Sequence, residues 1–310
     1  MESLKPVVDQ ETILALLKEN FQQPIRELNS VQGGMIAQTL SFQVNDKEYI
    51  LRFKTDASYK KEAFIYQHFA SAAIPVAPIL KIGWFGNLFY AISEKRPGKG
   101  LSFLSEEEYK QAVPSIMETL FAIHQVDVQK WQGYGWLDDE GIGMFPSWKN
   151  FIANVMEEER PEGFYGKWHI LFQTTFLERD FFEKVYKQML KLLEKCPEER
   201  YLVHSGYGYN NVLAQAGQVT AVLDWIDAMY GDFVYDIAYL HQWPPYGIDF
   251  SELLYQYYTA KGKSIPNYRE RLMCYQLYVG LDGMRFFAKT NNQEAYQAVC
   301  QKLENLLSLV

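Results

Sequence analysis

Cysteine is scarce in this chain. Its three residues, Cys196, Cys274 and Cys300, are far apart, odd in number and outside any C-x-x-C pattern. That argues against a disulfide framework and for reduced, mostly structural thiols in a cytoplasmic protein. Histidine is as thin: there are five scattered residues and no H-E-x-x-H, so a zinc site is not expected. Positive charge is in deficit, with 30 Lys and Arg against 38 Asp and Glu and a formal net charge of −8. Neither a nucleic-acid backbone nor an anionic membrane suits that balance; a cationic small molecule does, and so does ordinary solubility. No run of about 18 apolar residues offers a membrane span. The opening MESLKPVVDQ lacks the basic and apolar regions of a signal peptide. Internal repeats and low-complexity tracts are missing too.

Apolar and aromatic residues are plentiful. With 310 residues, 48% hydrophobic and 16% aromatic, the chain can bury a large core, and its length fits two domains or one domain of two lobes. Ile13, Leu14, Leu16, Leu17 and Phe21 fall at helical spacing and predict a first helix over 9–21. Residues 30–44 and 48–53 read as strands around the polar turn Asn45-Asp46-Lys47. A helix over 59–73 ends before Pro75, and 79–95 reads as two strands around Gly86-Asn87. Arg96-Pro97-Gly98-Lys99-Gly100 breaks the pattern and marks a link. Beyond it, Ser105-Glu106-Glu107-Glu108 is a capping box for a helix reaching about His124. A loop rich in Gly and Trp (131–148) follows, then helices near 148–158 and 176–196. Short strands across 202–225 turn at Ala216-Gly217, and the helical remainder is broken at Trp243-Pro244-Pro245. A sheet-rich part followed by a larger helical part is the order found in kinases.

Four stretches carry chemistry. Gln32-Gly33-Gly34-Met35 lies between expected strands, where glycines let backbone N–H groups approach phosphate oxygens; a simple turn reads the same way. In Tyr49-Ile50-Leu51-Arg52-Phe53 the alternation leaves one cation in an apolar run. It is either a snorkelling surface residue or the counterpart of the lysine with which kinases contact the α- and β-phosphates. Glu62 on the next helix could pair with it, or could join Lys60 and Lys61 on a solvated face. Arg in place of Lys keeps the charge and changes the geometry. Ser93-Glu94-Lys95 would supply backbone groups to read a base edge, which leaves ATP and GTP indistinguishable. The strongest signal is His204-Ser205-Gly206-Tyr207-Gly208-Tyr209-Asn210-Asn211, followed by Val222-Leu223-Asp224-Trp225. Kinase-like enzymes carry H-x-D-x-x-x-x-N, a short hairpin and a second Asp. The first Asp orients and deprotonates the acceptor hydroxyl, while Asn and the later Asp hold Mg²⁺ on the nucleotide phosphates. His204, Asn211 and Asp224 match this pattern, and Gly206 stands where the first Asp belongs.

TAVLDWIDAMYGDFVYDIA (220–238), HSGYGYNNVL and YKKEAFIYQHFASAAIP resemble the metal-binding segment, catalytic loop and first small-lobe helix of the aminoglycoside phosphotransferases, the hygromycin B phosphotransferases in particular. The similarity extends more thinly from about Val31 to Asp282. The resemblance implies a two-lobed, protein-kinase-like α+β fold, with a β-rich, five-stranded nucleotide-binding lobe at 1–95 and a helical lobe at 96–310. It implies Mg²⁺ ligands at Asn211 and Asp224, a phosphate-anchoring pair at Arg52 and Glu62, and a structural acid at Asp236. The implied reaction is transfer of a phosphoryl group from ATP or GTP to a hydroxyl of an aminoglycoside or aminocyclitol, of the antibiotic-resistance type.

The family's catalytic Asp aligns with Gly206, which has no side chain. Losing a positioned base costs about 10²- to 10⁴-fold in rate, or roughly 3–5 kcal/mol of barrier. A pseudoenzyme that binds without efficient transfer, an altered enzyme, and an enzyme borrowing Asp227 as a substitute base all stay open. Asp227 could equally contact a substrate amine or a helix N-terminus. Tyr207 and Tyr209 flank the gap, one expected in the core and the other lining a cleft. Aminoglycosides are polycations, so the acceptor side needs carboxylates and aromatic faces. Asp227, Trp243, Tyr246, Asp249 and Asp282 are the candidates, Asp282 being notable for its apolar helical surroundings. A metabolite such as choline or a sugar would share the catalytic pattern. A monomer or weak dimer is expected.

Overall fold

The computed structural model describes residues 5–31, 36–159, 163–242 and 245–309. The backbone forms two units. One holds Met1–Ala122, Asp138–Gly141 and Gly208–Asp227; the other holds Ile123–Leu137, Ile142–Tyr207 and Ala228–Val310.

In the first unit, α1 (Gln10–Asn20) starts where Asp9 caps it, the Thr12 N–H donating to its carboxylate at 2.9 Å. Five strands follow: β1 (Ile25–Ser30), β2 (Gln38–Val44), β3 (Lys47–Lys54) and, after α2 (Tyr59–Phe69), β4 (Ile79–Phe85) and β5 (Leu88–Glu94). They form one antiparallel sheet in the order β1-β2-β3-β5-β4. The expected hairpin is there, with Val44 opposite Lys47 and Asn45 at φ 53°. Strand alternation sends Leu40, Phe42, Leu51, Phe53 and Ile92 to one face, where Ile13, Leu16 and Leu17 of α1 close the core. Each such burial contributes about 1.5–3 kcal/mol. The same alternation sends Arg52 and Lys54 to the other face, with Tyr59 of α2 packed on Phe89 and Ala91. The helix expected over 59–73 stops at Phe69, because Ala70 turns extended and Ser71 and Ile74 bond each other's backbone in a tight turn. β1, all but Ser30, lies ahead of the strand expected over 30–44: it is mostly exposed and carries a bulge, so it shows no apolar alternation.

The remaining elements are β6 (Lys99–Gly100), α3 (Glu106–Ile123), β7 (Tyr134–Leu137), β8 (Gly143–Phe145), α4 (Trp148–Ala153), α5 (Leu171–Thr174) and α6 (Arg179–Leu193). Then come β9 (Tyr201–Val203), β10 (Val212–Gln215), β11 (Gln218–Val222), β12 (Met229–Gly231), α7 (Val234–Gln242), α8 (Phe250–Ala260), α9 (Tyr268–Lys289) and α10 (Gln293–Leu307). The capping box forms as expected: the Ser105 N–H donates to Glu108 at 2.8 Å and the Glu108 N–H to Ser105 Oγ at 3.3 Å. In the first unit β11-β10-β6 make a small sheet. Its hairpin turns at Ala216 and Gly217, both with positive φ, and the Val222 N–H anchors it to the Pro75 carbonyl at 2.9 Å.

In the second unit β8-β7-β12-β9 form a four-stranded sheet, so the segment 131–148 expected as loop contains two short strands. A Cβ on Gly231 would come within 2.2 Å of the Trp148 ring, so only glycine fits that strand end. The Trp148 Nε1–H donates to Tyr275 Oη at 2.9 Å, and the Tyr275 hydroxyl donates to Asp232 at 2.6 Å. Asp232 also takes a two-pronged ion pair from buried Arg271, at 2.8 and 2.5 Å. This network ties α4, α9 and the start of α7 together. Among the described residues no helix is long and apolar enough to cross a membrane.

Candidate functional site

In the first unit, Arg52 of β3 and Glu62 of α2 meet as a bidentate pair. Arg52 Nη1 donates to Glu62 Oε1 at 2.9 Å and Nη2 donates to Oε2. Glu62 is buried, so this is the buried-pair reading of both residues and not a solvated face. Burial opposes the charge on Arg52, yet Glu62 beside it holds the guanidinium well above its ordinary value. The Arg52 guanidinium lies over the Tyr59 ring, 4.5 Å from its centroid. Lys54, two residues along the same strand face, is buried as well. Its Nζ donates to Ser58 Oγ at 2.9 Å and stands 5.7 Å from the Tyr59 centroid. Lys54 and Tyr59 escaped the reading of the sequence. Strand alternation from Arg52 could have found Lys54; Tyr59 depends on how α2 packs.

Asn211 and Asp224 sit at the two ends of the β10–β11 hairpin. Val212 pairs with Val222, and the Leu223 N–H donates to the Asn211 carbonyl at 2.7 Å. Asp224 holds a left-handed φ of 62°, a conformation that costs a non-glycine residue strain and clusters at functional positions. Its side chain keeps a face to water, yet protein crowds it on most sides. Burial first, then the charges of Glu62 and Asp227, push its carboxyl up to about 6, against the pull of Arg52 and Lys54. Water at one face weakens that effect without changing its direction. A carboxamide oxygen and a carboxylate crowded by other acids are donors that suit a small hard cation such as Mg²⁺. Among the described residues no group of three or more His, Cys, Asp or Glu could hold a metal. Asp227 is exposed at the end of a short 3₁₀ turn, three residues after Asp224.

Ser93 is buried near the end of β5, opposite Ile50 and Ile79. The Glu94 N–H donates to the Pro78 carbonyl and the Lys95 N–H to the Glu48 carbonyl, both at 3.0 Å, so both amides are engaged within the unit. Lys95 Nζ pairs with Glu48 at 2.6 Å. Gly33, Gly34 and Trp243 lie outside the described residues.

In the second unit a different arrangement shapes the start of the H-x-G loop. Asp236 of α7 is buried and accepts the His204 N–H at Oδ2 and the Ser205 N–H at Oδ1, each at 2.8 Å. His124 Nε2 lies 3.0 Å from Asp236 Oδ2, and its Nδ1 lies 2.5 Å from the Tyr258 hydroxyl. His204 is fully buried, and its Nδ1 accepts the Gly206 N–H at 3.1 Å, which assigns the ring proton to Nε2. Ser205 holds a φ of 66°, so the loop carries backbone strain beside the position that lacks a side chain. Tyr207 is buried, as expected of one of the two rings, and Tyr209 is 57% exposed.

The acceptor candidates scatter in role. Asp282 pairs with Arg285 at 2.7 Å, and its carbonyl accepts the Tyr165 hydroxyl at 3.2 Å. Asp249 caps α8, accepting from Glu252 N–H and Ser251 Oγ; its role there is structural. Tyr246 is half-exposed in a one-turn segment with φ 57°.

Residues 27–273 match the model of the phosphotransferase enzyme family. The chain is 31% identical over 283 residues to hygromycin-B 4-O-kinase of Escherichia coli, covering 90% of this chain and 79% of that one. The structure matches aminoglycoside phosphotransferase APH(4)-Ia with a TM-score of 0.83, at 28% identity over 97% of this chain and 99% of the other. It matches a thermostable mutant of that phosphotransferase, in ternary complex with AMP-PNP and hygromycin B, with a TM-score of 0.81 at 28% identity over 96% and 98%. The fold is thus the kinase-like α+β fold that the sequence implied.

Proposed function

Because the chain belongs to the phosphotransferase enzyme family and is an aminoglycoside-kinase-like enzyme, we propose that it transfers the terminal phosphoryl group of ATP or GTP to a hydroxyl of an aminoglycoside or related aminocyclitol. This is a reaction of the antibiotic-resistance type. The observation that supports it is the hairpin that closes with Asn211 and Asp224 at its ends, in the same unit as the Arg52–Glu62 pair.

The roles follow from the donors each residue offers. Arg52, locked by Glu62, anchors the α- and β-phosphates, and Lys54 adds a second cation on the same strand face. Gly33 and Gly34 let the backbone approach the phosphates. The base rests at Ser93–Lys95, through groups other than the two engaged amides. Asn211 and Asp224 would hold Mg²⁺, which when bound neutralises charge on the transferring group. On this reading residues 1–95 serve the nucleotide and 96–310 carry the catalytic loop, the metal ligands and the acceptor pocket. The ammonium groups and rings of the acceptor are assigned on this reading to Asp227, Trp243, Tyr246 and Asp282. Asp236 and His204 hold the loop in shape. At Gly206 no side chain takes the hydroxyl proton, so transfer depends on positioning and charge neutralisation alone unless Asp227 stands in as base. Three free thiols suit the cytoplasm, and a monomer or weak dimer would suffice.

Nucleotide consumption coupled across a panel of aminoglycosides tests this. Slow turnover is expected for the chain itself, and Gly206→Asp should raise the rate about 10²- to 10⁴-fold. No turnover by either protein would overturn the proposal. Gly206 also favours a second reading, a protein that binds nucleotide or antibiotic without efficient transfer. Calorimetry would support that reading if drug bound tightly while nucleotide stayed intact even in Gly206→Asp.

A further inference from the structure

Two exposed aromatic residues stand on touching segments of the first unit. Phe103 ends a one-turn 3₁₀ segment, Leu101–Phe103, directly after β6, and Tyr209 lies just before β10. The β6–β10 ladder sets Gly100 opposite Leu213, and the Ser102 N–H donates to the Tyr209 carbonyl at 3.3 Å. Ser102 Oγ donates to Asn210 Oδ1. A Cβ on Gly100 would lie 3.3 Å from that Oδ1 and 3.4 Å from Phe103 Cδ2. The edge of the Phe103 ring and the Asn210 amide thus lie against one glycine.

Phe103 is 72% exposed and Tyr209 57%, and among the described residues neither packs on another ring. Leaving a phenyl ring in water forgoes about 1.5–3 kcal/mol of burial. Tyr209 also holds a left-handed φ of 44°, a strain that clusters at functional positions. The Ser102 bond occupies the oxygen of the Asn210 amide, and both Nδ2 hydrogens are without a partner among the described residues. Aromatic faces beside open amide donors suit a saturated, hydroxylated ring, which offers an apolar C–H face and accepting hydroxyls. Charge decides which ring. Three residues beyond Phe103, α3 opens with Glu106, Glu107 and Glu108. Glu108 pairs with Lys99 and Glu106 with Lys110, while Glu107 has no cationic partner among the described residues. That surplus favours a ring bearing ammonium groups over one bearing a triphosphate.

Given the transfer to an aminoglycoside or aminocyclitol proposed above, on which this step rests, we propose that Phe103 and Tyr209 form an aromatic platform for one ring of the cationic acceptor. The sugar or cyclitol ring stacks its C–H face on the platform, and the Asn210 amide donates to a ring hydroxyl. Tyr209 and Asn210 lead directly into Asn211, so the platform stands next to the residue assigned to Mg²⁺. The contact is one of faces, so another aromatic side chain can replace Phe103 and an aliphatic one cannot.

The test is a calorimetric titration of hygromycin B and of kanamycin, and separately of AMP-PNP with Mg²⁺, into the full chain. Four proteins are compared: the unaltered chain, Phe103→Ala, Tyr209→Asn and Phe103→Trp, asparagine being a residue that keeps the left-handed φ. Both positions are exposed, so thermal unfolding should not move. Phe103→Ala and Tyr209→Asn should each weaken the drug that binds by about three- to tenfold and leave AMP-PNP affinity unchanged. Phe103→Trp should hold the drug as tightly as the unaltered chain. Drug affinity undiminished in both Phe103→Ala and Tyr209→Asn would overturn the platform and leave the acceptor reading standing. A parallel loss of AMP-PNP affinity would assign the rings to the ribose of the nucleotide and overturn it too. Failure of the unaltered chain to take up either drug would overturn the acceptor reading itself, and the platform with it.

Discussion

Glu62 and Asp236 are both buried acids, and they are used in opposite ways. Glu62 directs both oxygens at one side chain, Arg52; Asp236 directs its oxygens at the backbone N–H groups of His204 and Ser205 and at His124. Around Glu62 the charges do not settle among themselves. Asp224 is pushed up, and among the described residues Arg52 Nε and the Tyr59 hydroxyl find no hydrogen-bond partner although both atoms are buried. Around Asp236 the loop donors meet acceptors. On the proposed function, the difference separates a region that would take charges from outside, a triphosphate and its cation, from a scaffold that is complete in itself. It also explains how the loop keeps its shape when Gly206 offers no carboxylate: the holding groups are His204, Ser205 and Asp236.

The largest way to break the comparison is Asp236→Ala. It leaves two backbone donors and His124 without their buried acceptor, and should cost about 3–5 kcal/mol in urea unfolding. A loss under about 1 kcal/mol would mean the loop is held by something else.

How much of this could be read beforehand differs between the two regions. The spacing of Asn211 and Asp224 around a Gly-containing turn, the capping box at Ser105 and Glu108, and the lone cation Arg52 in an apolar strand were legible, because each is local. Asp236 was legible only through family resemblance. His124 and Tyr258 are partners brought from distant segments, and nothing local marks them. The Asp232–Arg271–Tyr275 network was invisible for the same reason. Asp249 drew attention as an acid near the acceptor segment, whereas its position before Phe250 is that of a helix cap. β6, β7, β8 and β12 run for two to four residues, too short for alternation to register.

A smaller effect concerns pH at the far end of α7. Burial, with Lys302 nearby, holds His241 below its ordinary range, against the pull of Asp249 at 3.5 Å. The unfolded chain therefore binds a proton below about pH 6.5 that the folded chain resists, so stability falls as the medium is acidified below that point. His241→Gln should flatten this part of the thermal-unfolding profile between about pH 6.5 and 5. Parallel profiles for the two proteins would show that His241 is not the acid-sensitive group.

The smallest effect sharpens the comparison from the other side. Tyr59→Phe removes a buried hydroxyl without a partner and should leave stability unchanged or raise it by up to about 1 kcal/mol. A loss of that size in urea unfolding would mean the hydroxyl is satisfied and the first region less unsettled than described.

The most direct measurement is a calorimetric titration of a non-hydrolysable ATP analogue into the full chain, with and without Mg²⁺, for the unaltered protein and for Asp224→Asn. The account predicts at least about tenfold tighter binding with Mg²⁺ for the unaltered protein, the 1.4 kcal/mol or more expected of a charge-assisted contact, and no such gain for Asp224→Asn. Equal binding with and without the cation, or an undiminished gain in Asp224→Asn, would contradict it.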